Sequence, residues 1–108
     1  MKNILIVCVG NICRSTTAER ILKKKLPSLN IISAGISALV GRGIEKNAAD
    51  ILNDNGYDVD GHSAKVLSSE LIFESDLVLV MEKYQKDLIV ERYPESCGKV
   101  FLLGKWSD

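Results

Sequence analysis

Asn3-Ile4-Leu5-Ile6-Val7-Cys8-Val9 opens the chain as an almost unbroken apolar, β-branched run. A strand with one wet face alternates in polarity, so a run without alternation predicts a strand buried on both faces, as in a parallel sheet. After the turn Gly10-Asn11, residues 15–26 place Ala18, Ile21, Leu22 and Leu26 on one helical face, with Lys23, Lys24 and Lys25 mostly off it. Thr16 reads as the N-cap of that helix and Glu19, three residues on, as its capping-box partner. Pro27 stops the helix, and Asn30-Ile31-Ile32-Ser33-Ala34 follows as a short strand ending at Gly35. The opening third is therefore a β-α-β unit, for which a right-handed crossover is expected.

The same pattern continues outward. Residues 36–43 form a Gly-punctuated loop, and residues 44–55 predict a helix with Ala48, Ile51 and Leu52 on one face and a stop at Asn55-Gly56. A loop over 57–64 carries the only histidine, His62, followed by a short helix over 68–73 and a second buried strand over 76–81. Residues 82–92 predict another amphipathic helix, stopped by Pro94, and Val100-Phe101-Leu102-Leu103 a last strand. At 108 residues the chain supports one core, hence a single domain over 1–108. The fold class expected is α/β: three layers, a central four-stranded parallel sheet with helices on both faces, and a ligand site at the C-terminal strand ends. Cys8 stands at such an end.

Fourteen basic residues balance fourteen acidic ones, so the broad positive field of a nucleic-acid binder is absent. The apolar run from Ile4 to Val9 falls far short of the roughly 20 residues that span a bilayer, and Met1-Lys2-Asn3 is no signal-peptide start. No membrane insertion and a cytoplasmic location are expected. Three cysteines, with Cys8 and Cys13 close together, suit reactive thiols better than a disulfide framework. The spacings of Cys8, Cys13, Cys97 and His62 match none of the usual zinc pairs, and the dinucleotide glycine fingerprint is absent, so neither metal nor cofactor is expected.

From Cys8 the order is Val9-Gly10-Asn11-Ile12-Cys13-Arg14, then Ser15: a cysteine at a strand end, five loop residues and an arginine opening a helix. A loop wrapped between a strand and a helix N-terminus turns successive N–H groups of Val9 to Cys13 into one concavity, an anion site that also favours a thiolate at Cys8. Gly10 and Asn11 tolerate the left-handed angles such a loop needs. Arg14 offers a planar fork for two equatorial phosphoryl oxygens, and Ser15 a hydroxyl for the sulfur. The implied reaction is in-line phosphoryl transfer to sulfur followed by hydrolysis of the phosphocysteine.

Val7-Cys8-Val9-Gly10-Asn11-Ile12-Cys13-Arg14-Ser15 resembles the signature of the low-molecular-weight protein tyrosine phosphatases. Thr17-Ala18-Glu19-Arg20, Ser33-Ala34-Gly35, Gly61-His62, Val80-Met81-Glu82 and Leu103-Gly104-Lys105-Trp106 match family positions in order, so the resemblance runs through the chain. Ala38-Leu39-Val40-Gly41 is similar to the bacterial branch associated with capsule and exopolysaccharide biosynthesis. The resemblance implies Cys8 as nucleophile, Arg14 as phosphate clamp, Ser15 as thiolate partner and Asn11 as the residue that shapes the loop. It implies Ser33 and His62 as supports of Asn11, Leu39 as the wall against the substrate ring, and Cys13 as a thiol that traps oxidised Cys8. The implied partner is a phosphotyrosine protein, a bacterial tyrosine autokinase of polysaccharide export.

Two departures accompany the resemblance. Thr16 stands where the family usually has proline, and both start helices well. The family's general acid belongs to an Asp-Pro-Tyr or similar motif, and no Asp-Pro pair occurs here. The chain is expected to be C-terminally truncated before that loop and before a final helix, leaving a surface through which self-association is expected. Two other functions compete: a thiol-dependent arsenate reductase on the same fold, which needs a closely spaced resolving thiol pair late in the chain where only Cys97 stands, and a domain that binds phosphate or phosphotyrosine without efficient turnover.

Overall fold

The computed structural model describes residues 3–9, 14–37, 43–57, 61, 62 and 64–102, with Arg14 described by its backbone alone. Four strands, β1 (Asn3–Cys8), β2 (Asn30–Gly35), β3 (Leu77–Val80) and β4 (Val100–Leu102), form one parallel sheet in the order β2-β1-β3-β4. The expected four-stranded parallel sheet is present, with β1 beside β2 and β3 (Val7 opposite Ala34 and Val80).

The unbroken apolar run of β1 has a direct cause: its alternate residues enter two separate cores. Leu5 and Val7 join Ile72, Val78, Val80, Ile89 and Val100 on one face, against α3 (Ser69–Glu74) and α4 (Lys83–Arg92). Ile4 and Ile6 join Ile31 and Leu79 on the other, where Ala18 and Leu22 of α1 (Arg14–Lys25) cover them. Each fully buried Leu, Ile or Val contributes roughly 1.5–3 kcal/mol relative to exposure, so a polar residue in either register would be expensive. A further helix, α2 (Lys46–Asp54), packs on α1.

Several boundaries shift from the sequence pattern. Helix α1 starts at Arg14, so Thr16 and Glu19 lie inside it and form no N-terminal cap; both are buried. Helix α2 starts at Lys46 with Glu45 as N-cap, its carboxylate accepting from the amides of Asn47 and Ala48. Ala48 and Leu52 are buried, but Ile51, placed on the same face by periodicity, is 63% exposed. Leu26 lies past the end of α1 and is exposed. Beyond α4, the proline that stops it opens a 3-10 helix, Pro94–Lys99. Leu103, expected in the last strand, lies outside the described residues.

One pairing had no periodic signal. Val66 forms a parallel bridge with Gly35, held by Gly35 N–H to Lys65 O at 2.9 Å and Leu67 N–H to Gly35 O at 2.8 Å. It ties the segment after His62 to the end of β2 and buries Ala64 and Leu67.

Candidate active site

The strand that carries Cys8 is held at its C-terminal end by its neighbour. Ile36 N–H donates to Cys8 O at 2.9 Å and Ser37 N–H to Val9 O at 3.0 Å, so backbone pairing continues past the last residue of β1. This fixes Cys8 at the strand edge, where a parallel sheet opens to ligands.

Helix α1 begins six residues later and returns over the sheet, and its first turn faces Cys8. The Cys8 Sγ and Ser15 Oγ lie 2.9 Å apart, both residues being 5% exposed or less. Against a neutral thiol either atom donates; against a thiolate the Ser15 hydroxyl must, and hydrogen bonds to charged acceptors are the stronger kind.

Buried polar groups need partners, and the first two turns of α1 supply a linked set. Thr16 Oγ1 is 3.3 Å from His62 Nε2, joining α1 to the loop ahead of α3. Ser33 Oγ, on β2, donates to Glu19 Oε1 at 2.6 Å. Glu19 Oε2 faces Arg20 Nε and Lys23 Nζ, each at 3.4 Å. Ser15, Thr16, Glu19 and Ser33 thus form a buried polar layer between α1 and the sheet, beside Cys8. The sequence pattern marked Thr16 and Glu19 only as a cap. Glu19 stands four residues after Ser15, on the helical face turned to the sheet, and that spacing is the signal that points to it.

Of the residues singled out in the sequence, Cys8, Ser15 and Ser33 therefore meet the same α1–β2 layer, and His62 reaches it through Thr16. Val9 continues the strand end and is 44% exposed. Gly10, Asn11, Ile12, Cys13 and Leu39 lie outside the described residues; Arg14 occupies the first position of α1. Cys97 is exposed in the 3-10 helix. Among the described residues no three His, Cys, Asp or Glu side chains are grouped to hold a metal, and no helix is long and apolar enough to cross a membrane.

Residues 3–108 match the family model described as low molecular weight phosphotyrosine protein phosphatase. The low molecular weight protein-tyrosine-phosphatase Wzb of Escherichia coli K12 is 45% identical over 106 residues, which cover 98% of this chain and 72% of Wzb. The crystal structure of Wzb from Escherichia coli K30 in complex with sulphate matches with a TM-score of 0.94 at 41% identity, covering 99% of this chain and 75% of that one. The YwlE arginine phosphatase from Geobacillus stearothermophilus matches with a TM-score of 0.91 at 37% identity, covering 98% and 69%.

Proposed function

This chain belongs to the low molecular weight phosphotyrosine protein phosphatase family, and on that premise we propose that it hydrolyses phosphotyrosine through a phosphocysteine formed on Cys8. The observation that carries this reading is the 2.9 Å contact between Cys8 Sγ and Ser15 Oγ at the junction of β1 and α1.

The Cys8 thiolate attacks phosphorus in line; an S–P bond forms as the bond to the phenolic oxygen breaks, and that oxygen leaves with the electron pair as a phenolate, which takes its proton from water. Water then attacks phosphorus, the P–S bond breaks, and inorganic phosphate departs as the thiolate returns. Arg14, from the first position of α1, holds two equatorial oxygens, and the backbone N–H groups of Val9 to Cys13 hold the rest. Ser15 donates to the sulfur whenever it is anionic. Ser33 and His62 support the loop around Asn11, and Leu39 walls the substrate ring. Cys13 condenses with a Cys8 sulfenic acid, releasing water and forming a disulfide that a thiol reductant reopens.

The proposed substrate is a tyrosine autokinase of bacterial polysaccharide export, met in the cytoplasm. Support for this comes from the resemblance at Ala38-Leu39-Val40-Gly41 and from the similarity to Wzb. The arsenate-reductase reading gains nothing from the family model or from the relatives named above, which are phosphatases.

These 108 residues contain no Asp-Pro pair, so the first test uses p-nitrophenyl phosphate, whose leaving group departs without protonation. Rapid mixing should show nitrophenol release that Cys8→Ser abolishes; release that survives Cys8→Ser overturns the reading. A phosphotyrosine peptide and a phosphoarginine peptide then decide the substrate. We expect kcat/KM to favour phosphotyrosine by at least about tenfold, and the reverse order reassigns the substrate.

A further inference from the structure

Away from Cys8, a cavity of about 290 Å³ opens between α1 and the turn after α2, lined by Arg20, Lys23, Lys24 and Gly56. The Arg20 side chain is 10% exposed, and its Nε is sealed from solvent without a hydrogen-bond partner. The nearest carboxylate is already committed: Glu19 accepts from Ser33 through Oε1 and faces Lys23 as well as Arg20 through Oε2. Lys24 Nζ donates to Gly56 O at 3.1 Å and stands 5.0 Å from the Tyr57 ring centroid.

Among the described residues, the three cations lining this space have one carboxylate within ion-pair distance, that of Glu19. The C-terminal end of the α1 dipole opposes an anion here with about half a charge, so the cations prevail. A buried donor without an acceptor is costly, and an acceptor entering the cavity would relieve it. We propose that the cavity binds a tetrahedral oxyanion, either inorganic phosphate or the phosphoryl group of a larger ligand. The anion draws the Nε–Nη edge of Arg20 toward it in the two-bond geometry guanidinium favours, with Lys23 and Lys24 closing the rim. Arg20 and Lys24 lie five and nine residues beyond Ser15 on α1, roughly 8 and 14 Å along its axis, so this site lies away from the contact between Ser15 and Cys8.

The test is a 15N–1H NMR titration of the 108-residue protein with inorganic phosphate, at ionic strength held constant with chloride. The Arg20 Nε–H and the Gly56 amide report the cavity; the Cys8 and Val9 amides report the catalytic site. Saturating shifts at Arg20 and Gly56 are expected, weakened about tenfold in Lys23→Gln/Lys24→Gln, whose native fold is checked by its amide spectrum because both side chains, though exposed, make contacts. Arg20→Lys should lose the response at Gly56 as well. A parallel titration with a phosphoserine peptide separates the two sources of the oxyanion: tighter saturation than by phosphate assigns a ligand-borne group, weaker saturation the free ion. Shifts confined to Cys8 and Val9, equal shifts with chloride alone, or an undiminished response in the double lysine variant would each overturn the proposal.

Discussion

Ser33 Oγ donates to Glu19 Oε1 at 2.6 Å, joining β2 to α1 through a carboxylate that is almost wholly buried. Two further contacts converge on the same group, from Arg20 and Lys23. Removing one donor from a buried acceptor costs about 1–3 kcal/mol, whereas removing the carboxylate strands Ser33 and leaves Arg20 an uncompensated, largely buried charge, about 3–5 kcal/mol. Glu19→Ala should therefore destabilise the protein more than Ser33→Ala in urea unfolding. Equal losses would mean that solvent reaches this layer.

Ser15 invites the opposite split between fold and function. Its hydroxyl meets the Cys8 sulfur at 2.9 Å, and Ser15→Ala keeps the helix while deleting that contact. A hydrogen bond to a charged acceptor contributes about 1.5–3 kcal/mol, so turnover of p-nitrophenyl phosphate should fall by roughly 10- to 100-fold. The thermal midpoint should move little. A variant with unchanged turnover would show that Ser15 does not serve the sulfur.

The sheet was legible because β1 and β3 are buried on both faces, and only apolar runs satisfy that. Helix ends were less so. Thr16-x-x-Glu19 fits a capping box in sequence, yet three extra residues of helix, 14–16, carry both side chains inward, where tertiary packing gives them partners. Ile51 shares a face with Leu52 on a helical wheel, but the buried line of α2 is narrow, Ala48 and Leu52, four residues apart, and Ile51 falls outside it. The Gly35–Val66 bridge is too short to leave any period. The contact between Cys8 and Ser15 was readable because it needs a strand end and a helix start seven residues apart, and the sequence punctuates both.

Gly56 closes α2 with φ +79°, the left-handed region that costs a residue with a side chain about 1–2 kcal/mol. Its new Cβ would sit 3.5 Å from Lys24 Nζ, an ordinary contact, so the backbone angle and not crowding sets the penalty. Gly56→Ala should lower stability by that amount. Gly98→Ala, in the 3-10 helix, where nothing lies within 4 Å, should change it by less than about 0.5 kcal/mol. Urea midpoints of the two variants compare them directly, and a Gly98 loss as large as that at Gly56 would refute the assignment to backbone angle.

Lys99 closes a helix to which it does not belong. Its Nζ donates to Ile72 O at 2.6 Å and to Ser75 O at 2.7 Å, at the C-terminal end of α3. Six residues are too few for a helix to persist alone, so α3 depends on Ile72 in the core and on capping from outside. Cations also suit a helix C-terminus, where carbonyls lack partners. Lys99→Met keeps the apolar stem against its neighbours while removing the donors. It should cost about 1–3 kcal/mol, with the m-value unchanged and amide exchange at Ser75 accelerated, while Lys99→Arg restores most of the loss. If Lys99→Met matched the parent in both urea midpoint and Ser75 exchange, the two short contacts would carry no stability and α3 would rest on Ile72 and its Ser68 and Ser75 caps alone.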